Sequence, residues 1–252
     1  MTKPPQPILL IVLLLLSGLP FSHAQLNLSN WQIGLNAGAF VYQGDLTPSR
    51  FGSYKTLKPG IGLYISRVLS PSLILRTNLA LGKLKGDDAK YNDPAWRQQR
   101  NFNFTSPVTE ISELLVWNIL RNNGNEMGKR FSPYLFGGAG ISFIKVNRDY
   151  SKLNSGYFGD GSYLQSGLME DLARNPPRSI LVLPLGVGVE YYLSPKLALT
   201  AETNFRYTTT DYLDGFSRSA NPDKKDYYHS HTLGLVYKFG SGNQYGCPVM
   251  KY

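Results

Sequence analysis

Two histidines near the end of the chain have a spacing that could bind a metal. His229 and His231 flank Ser230, and side chains two residues apart point to the same face of an extended strand. Imidazole nitrogens bind divalent metals well, but a zinc site needs three or four protein ligands. No third ligand is evident in the sequence, so we interpret the pair as interfacial histidines and expect no metal and no cofactor.

Other kinds of chemical site are also poorly supported by the sequence. A lipid hydrolase would need a nucleophile system with an orienting acid, and no acid stands at a supporting spacing from His231. Gly137–Gly140 lacks the Lys-Ser/Thr ending and the following helix of a phosphate-binding loop. The acids Asp87 and Asp88 do not follow the EF-hand pattern of calcium sites. We therefore expect a protein that is not an enzyme and has no small-molecule substrate.

The segment Ser179–Leu193 indicates which element builds most of this chain. Its odd-numbered residues from Leu181 to Leu193 are all large and apolar, whereas its even-numbered residues change from apolar to Pro and Gly and then to Glu190. Side chains alternate across a strand, so one face is apolar along its whole length and the other is small and carries an acid. This pattern predicts a strand between lipid and a polar interior.

Seven further segments repeat this alternation. We therefore predict an all-β fold, an eight-stranded antiparallel transmembrane β-barrel of the OmpA-like type. No segment after the first residues has an apolar run long enough for a membrane-spanning helix. The predicted strands are Trp31–Val41, Gly60–Leu69, Leu73–Lys85, Thr109–Leu120, Pro133–Val146, Ser179–Leu193, Leu197–Thr210 and Thr232–Phe239.

The connections between the predicted strands alternate between short and long. Short turns at one end and long loops at the other are typical of outer-membrane barrels, in which the short turns face the periplasm and the long loops face outward. The short turns are centred on Pro71 and Pro195, and Asn122–Ser132 is of medium length. The long polar loops are Tyr42–Pro59, Gly86–Phe104, Asn147–Arg178 and Asp211–Ser230.

The first residues predict the compartment. Ile8–Leu16 is an unbroken apolar run, too short to span a bilayer as a helix, and Ser22-His23-Ala24 has the small residues of a signal-peptidase site. We expect a signal peptide at 1–24, a barrel at 25–239 and a periplasmic tail at 240–252. The predicted location of the mature protein is the outer membrane.

Composition and charge limit the partners. The formal net charge is +9, but the lysines and arginines are scattered through loops and strand ends, unlike the basic stripe of a nucleic-acid-binding protein. We expect no nucleic acid partner and favour contact with outer-membrane lipid and anionic lipopolysaccharide. Cys247 is the only cysteine, which excludes a disulfide within the chain.

A soluble β-sandwich or a lipocalin-like barrel is the competing interpretation. In such a fold the apolar face would point into a core and the opposite face would meet water. That opposite face is rich in Gly and small residues and poor in the Lys/Glu pairs of a solvated surface. Aromatic residues of the kind that form membrane-interface girdles also lie near strand ends, which favours the membrane: Trp31, Trp117, Tyr191, Tyr207 and Tyr237.

The polar face should carry a balanced set of charges. An eight-stranded barrel is filled by its own side chains, and unpaired charges in a narrow lumen are costly. We expect a salt-bridged plug, with a proton or ion path as the alternative. Glu113 is the exception because it falls on the apolar face, either at a bulge or against a protein partner. The expected lumen residues are Arg76, Glu110, Glu190, Glu202, Arg206 and Lys238.

Five motifs in order give the chain a resemblance to a known family. Together they resemble the DUF6089 outer-membrane β-barrel family of Bacteroidetes-type bacteria, which includes the PorG-like barrels of the type IX secretion system. The resemblance covers nearly all of 31–239. The motifs are Tyr42–Leu46, Leu81–Asp88, Arg100–Phe104 followed by Glu110–Leu114, Pro133–Gly140, and Arg206–Asp214.

The resemblance implies a function as well as a fold. It implies a non-enzymatic anchor or scaffold of the type IX machinery, associated with periplasmic ring proteins of the PorK and PorN type. The alternative is a general barrel for adhesion or envelope stability outside that system. We expect partner contacts in the periplasmic turn 122–132 and in the tail: Asn122, Lys129, Arg130 and Cys247.

Overall fold

The fold is taken from a computed structural model of the chain. It describes residues 28–121, Asn123, 130–222 and 225–240. The predicted signal peptide, the turn residues Asn122 and Lys129, and the tail beyond Gly240, with Cys247, lie outside the described residues.

Eight long strands form one closed antiparallel ring. Each strand pairs with its neighbour along the chain, and the last strand pairs with the first. The prediction of an eight-stranded antiparallel barrel is therefore confirmed. The short strand β6 (Asn147–Asp149) does not belong to the ring. The strands of the ring are β1 (Trp31–Gln43), β2 (Lys58–Val68), β3 (Leu73–Asp87), β4 (Asn103–Asn118), β5 (Phe131–Ile144), β7 (Ser179–Ser194), β8 (Leu197–Thr208) and β9 (Tyr227–Lys238).

The register of the ring determines its width. Following paired residues once around the ring from Trp31 leads back to Val41, ten residues further along β1. A stagger of this kind requires tilted strands, typically by about 35–45° from the barrel axis. A barrel of eight such strands has an interior that side chains can fill.

The alternating pattern separates an outer face from an inner face. On β7, Leu181 and Leu185 are each 51% exposed, whereas Val182 between them is fully buried. The inner face is narrow. A Cβ atom on Gly188 would lie only 2.5 Å from Cζ of Tyr134, which explains why large inner side chains stand opposite glycines.

Five of the eight strands extend further than the alternation predicted at the end where the long connections lie, whereas β5 and β8 end two residues earlier than predicted, at Ile144 and Thr208. β4 begins at Asn103 rather than Thr109, and β9 begins at Tyr227 rather than Thr232. Polar residues and Pro107 hide the pattern there, although Pro107 lies on the outer face opposite Lys83. The barrel wall therefore rises into stretches that we had assigned to loops.

The long connections contain regular structure of their own. A short strand, β6 (Asn147–Asp149), pairs with the beginning of β4. None of the helices in the described ranges is long and apolar enough to cross a membrane. The helices are α1 (Trp96–Arg100), α2 (Ser155–Phe158) and α3 (Tyr163–Ala173), with 3-10 turns at Leu28–Asn30, Tyr54–Thr56 and Asp88–Lys90.

Candidate functional site

The middle of the lumen holds an ion pair between β3 and β8. Nη1 of Arg76 lies 2.5 Å from Oε1 of Glu202, and both side chains are buried. The hydroxyl of Tyr134 donates to the same carboxylate oxygen at 2.6 Å. The guanidinium of Arg76 also lies over the ring of Tyr64, 4.2 Å from its centroid, which is the geometry of a cation–π contact.

Two further ion pairs lie above and below this middle layer. Toward the long connections, Nε of Arg206 lies 2.8 Å from Oε2 of Glu110, and the hydroxyl of Tyr228 donates to that oxygen at 2.8 Å. Toward the short turns, Nζ of Lys238 lies 3.1 Å from Oε2 of Glu190. The six charges that we expected in the lumen thus lie there as three pairs.

These pairs block the lumen in layers. Each acid faces one base, so no net charge is buried, and the tyrosine donors satisfy further carboxylate lone pairs as buried pairs require. A cavity between the middle and upper pairs measures about 20 Å³, which is room for about one water molecule. The arrangement is suited to closing a barrel and to holding its walls together.

The long connections fold over the mouth of the barrel as a cap. We use this term for residues 44–57, 88–102, 150–178 and 209–222. The rings of Phe102 and Phe216 stack with their centroids 4.3 Å apart. An apolar cluster continues from the cap into the upper lumen: Phe40, Tyr42, Leu46, Leu84, Phe102, Phe104, Leu168, Leu213, Phe216 and Tyr228.

A buried aspartate joins the first two cap segments. Oδ1 of Asp88 lies 2.9 Å from Nη1 of Arg97, and its Oδ2 lies 2.6 Å from Nε of Arg100. Both guanidinium groups also donate to the backbone carbonyl of Asp45, at 3.0 and 3.1 Å. Because Asp88 is fully buried, this network anchors α1 to the connection after β1.

A second buried aspartate joins the last two cap segments. Asp171 on α3 accepts hydrogen bonds from the backbone N–H groups of Ser217, Arg218 and Ser219, at 3.2, 3.0 and 2.9 Å. The hydroxyl of Ser219 donates to it at 2.7 Å. A carboxyl group has two acceptor oxygens, and these donors occupy both of them. Asp171 therefore holds the connection after β8 in one conformation.

A third acidic group connects the cap to the barrel. The hydroxyl oxygen of Tyr42 lies 2.6 Å from Oδ2 of Asp214 and 2.9 Å from Oδ1 of Asp226. A phenol carries one proton, so Tyr42 can donate to only one of them, and the other contact needs a protonated carboxyl. Burial is the main reason that the pKa values of Asp214 and Asp226 lie well above the usual range, and the negative charges of neighbouring acids raise them further. Burial also raises the pKa of Asp45, to about 7, and the charge of Asp211 contributes to that rise.

Sequence reasoning did not predict the cap. We treated its segments as polar loops, although the motifs quoted for the family resemblance contribute Asp45, Asp88, Arg100 and Asp214 to it. The same motifs contribute Tyr42, which joins the cap to the barrel. The available signal was the run of large apolar residues inside these supposed loops, including Phe102, Leu213 and Phe216. A solvated loop rarely carries them.

The histidine pair points to the outer face of β9, where Tyr54 packs against both rings and His229 is buried. The hydroxyl of Tyr54 is 3.2 Å from Nε2 of His229 and 2.9 Å from Nε2 of His231. Nδ1 of His231 is 3.0 Å from the hydroxyl of Thr203. Within the ranges that the structure describes, no three His, Cys, Asp or Glu side chains are grouped to hold a metal ion.

The outer wall carries a broad apolar band with aromatic residues near its edges. Trp31, Trp117, Tyr191 and Tyr237 lie toward the short turns, and Tyr207 lies toward the cap. Of the expected partner contacts, only Arg130 is described, and it is exposed at the short-turn end. Exposed members of the band include Ile33, Leu35, Ile61, Leu63, Leu79, Ile111, Leu115, Leu135, Ile141, Leu183, Val187, Leu199 and Leu233.

The chain is similar to several solved outer-membrane proteins. Neisserial surface protein A is 13% identical, with 84% of this chain and 98% of that chain covered and a TM-score of 0.50. Ail of Yersinia pestis is 14% identical (82% and 96% covered, TM-score 0.43). OprG from Pseudomonas aeruginosa is 11% identical (84% and 98% covered, TM-score 0.43). The first similarity shows the barrel fold.

The comparison with family models covers almost the whole chain. A search of curated proteins gave no match. Residues 7–248 match the model of the domain of unknown function DUF6089, the family to which the sequence motifs pointed. The chain therefore belongs to the DUF6089 family.

Proposed function

We propose that this protein is a closed, non-enzymatic barrel of the outer membrane that anchors other envelope proteins. The observation that carries the proposal is the combination of an apolar outer band with a lumen blocked by three layers of ion pairs. Lipid would cover the band, and a blocked lumen serves no transport. What remains available for function is the two ends of the barrel and its outer wall.

The blocked lumen is tested by electrical conductance. The purified full chain is inserted into a planar lipid bilayer, and the current is recorded over a range of voltages. We expect no steady ion conductance, because side chains fill the interior of an eight-stranded barrel. Regular single-channel steps from the unmodified protein would contradict the proposal and favour the ion-path alternative.

We further propose a PorG-like role in type IX secretion. Membership of the DUF6089 family supports it, together with the motifs that the resemblance rests on. In that role the short-turn end faces the periplasm, where Arg130 is exposed, and it contacts ring proteins of the PorK and PorN type. Lipopolysaccharide would surround the opposite end, where Lys83 and Lys145 are exposed on the outer wall.

Co-purification tests this role. The tagged full chain is isolated from membranes of its own host, and the recovered PorK- and PorN-type proteins are quantified. We expect Arg130→Glu to reduce recovery and Lys145→Glu, a matched charge reversal at the cap end, to leave it unchanged. Normal secretion and an intact ring in a deletion strain would contradict the secretion role.

A surface-binding role is the second candidate. The cap carries exposed large side chains on α2 and α3: Tyr157 is 56% exposed, Tyr163 65% and Met169 73%. Such residues serve well in binding surfaces. If adhesion is the function, the double variant Tyr157→Ser/Tyr163→Ser should lose binding of the cells to a surface ligand while secretion stays normal. Loss of secretion with retained adhesion would exclude this candidate.

A further inference from the structure

Glu113 is a carboxylate on the apolar outer wall. It lies on β4 between Ile111 and Leu115, which are 51% and 48% exposed, and it is itself exposed. It stands four residues from the interfacial Trp117, a height of roughly 10 Å for a tilted strand. An apolar band of a barrel is about 25 Å tall. Glu113 is therefore near the middle depth of the band.

The other outward-facing charges of the described strands avoid this depth. Arg67 lies beside Trp31 at the short-turn end, and Lys83, Lys85 and Asp87 lie toward the cap. An ionisable residue inside the hydrocarbon is costly and marks a functional contact. Glu113 is also not displaced by a bulge, because the pairing of β4 with β3 and β5 is continuous through it.

The chain itself satisfies Glu113 only in part. The hydroxyl of Thr77 donates to its Oε2 at 2.8 Å. Among the described residues, no Lys, Arg or His side chain lies within ion-pair distance of it. A carboxylate can accept several hydrogen bonds, so most of its capacity is left for a group outside this barrel.

The surroundings of Glu113 allow a close approach. Its paired neighbours are Thr77 on β3 and Ala139 on β5, and Gly137 lies opposite Leu115. Short side chains let two membrane segments come close enough for their polar groups to hydrogen-bond. The patch made of Thr77, Glu113, Gly137 and Ala139 thus combines a polar centre with short side chains, which let another membrane segment approach the barrel closely.

We propose that this patch is a two-fold symmetric contact between two copies of the chain in the membrane. Two barrels that insert with the same orientation carry Glu113 at the same depth. Their two carboxyls can share one proton taken up from water, so that a protonated carboxyl donates to the ionised one, as like-charged pairs do. The patch is then complementary to itself, as a two-fold interface requires. The inference rests on the membrane location proposed above but not on the secretion role.

Disulfide cross-linking tests the contact. The lone cysteine is removed by Cys247→Ser, and a new one is introduced by Ala139→Cys beside Glu113 or by Ala201→Cys on β8, across the barrel. The full chains are inserted into lipid vesicles and oxidised. A disulfide needs Cα atoms within about 7 Å. We expect dimers from Ala139→Cys and monomers from Ala201→Cys.

Substitution of Glu113 in the Ala139→Cys background tests the shared proton. Glu113→Leu should lower the cross-linked fraction about tenfold, which corresponds to about 1.4 kcal/mol. Glu113→Gln should retain most of it, because paired amides both donate and accept. Equal cross-linking of all three proteins would overturn the role of the carboxyl.

The remaining outcomes separate the contact from the membrane location. An inserted protein that stays monomeric, or one that cross-links equally through Ala201→Cys, would overturn the contact alone. A further variant carries both Ala139→Cys and Ala201→Cys. If it forms dimers while neither single variant does, the two copies meet front to back, and the symmetric contact is overturned. A chain that fails to enter vesicles would overturn the location and, with it, this inference.

Discussion

Nε of Arg206 on β8 lies 2.8 Å from Oε2 of Glu110 on β4, across the upper lumen. Both side chains are almost completely buried. Arg206→Ala would leave Glu110 as an uncompensated buried charge, and we expect the free energy of unfolding to fall by about 3–5 kcal/mol. Denaturant titration of the barrel in detergent micelles, followed by tryptophan fluorescence, measures it.

The double variant Arg206→Ala/Glu110→Ala is the control for this pair. Removing both charges avoids the buried unpaired ion, so the double variant should be more stable than Arg206→Ala alone. The two single substitutions and the double one form a cycle that isolates the interaction. If the loss in the free energy of unfolding of the double variant equals the sum of the losses of the two single variants, the two side chains do not interact.

Tyr228 is expected to stabilise the same layer through its hydroxyl. Tyr228→Phe removes the donor to Glu110 but keeps the ring, and a hydrogen bond to a charged group is worth about 1.5–3 kcal/mol. We expect a loss of that size in the free energy of unfolding. Tyr227→Phe on the outer face of the same strand is the matched control, with an expected change within about 0.5 kcal/mol. Equal effects of the two would contradict the assignment.

The parity of each strand explains what the sequence could predict. A residue whose neighbours two positions away face lipid must itself face lipid, so alternation placed Arg76 and Glu202 inside and Glu113 outside without a structure. Pairing of Arg76 with Glu202 depends on the register around the ring, which alternation does not specify. The cap depends on contacts such as Asp88 with Arg97, formed by turns that have no period, and for this reason we read its segments as loops.

The cap should be more stable at acidic than at alkaline pH. In the folded protein the pKa of Asp45 is raised to about 7, and the pKa values of Asp214 and Asp226 are also raised. Groups with raised pKa bind more protons when folded, so their stabilisation is complete below pH of about 4 and is lost as pH rises through about 7. Hydrogen exchange of cap amides between pH 5 and pH 8 measures the change, after correction for the intrinsic rate.

Asp226→Asn tests the cause of this pH dependence. An amide cannot ionise, so the variant should have a flatter dependence and a better protected cap at pH 8 than the unmodified protein. Asp160→Asn, at an exposed position of the cap, should behave as the unmodified protein. Increasing protection of the cap with rising pH would contradict the buried acid cluster.

Asp88 is expected to determine whether the first half of the cap holds together. Asp88→Ala would leave Arg97 and Arg100 without their carboxylate, and loss of one partner of a buried ion pair costs about 3–5 kcal/mol. We expect trypsin to cleave within 88–102 in intact vesicles, while the barrel stays resistant. Asp149→Ala, on the exposed strand β6, is the control. An unchanged digestion pattern would mean that the network is not needed for the cap.

The central claim is that the odd-numbered side chains of the strands contact hydrocarbon, and a nitroxide scan along β7 tests it most directly. Single cysteines replace residues from Ile180 to Val187, apart from Pro184 and from Gly186, where a Cβ would lie 2.5 Å from the backbone oxygen of Thr203. The variants carry Cys247→Ser, and the labelled protein is inserted into lipid vesicles. We predict that labels at 181, 183, 185 and 187 collide with membrane-dissolved oxygen, whereas those at 180 and 182 do not. The reverse parity, or odd positions open to a water-soluble relaxation agent, would contradict the account.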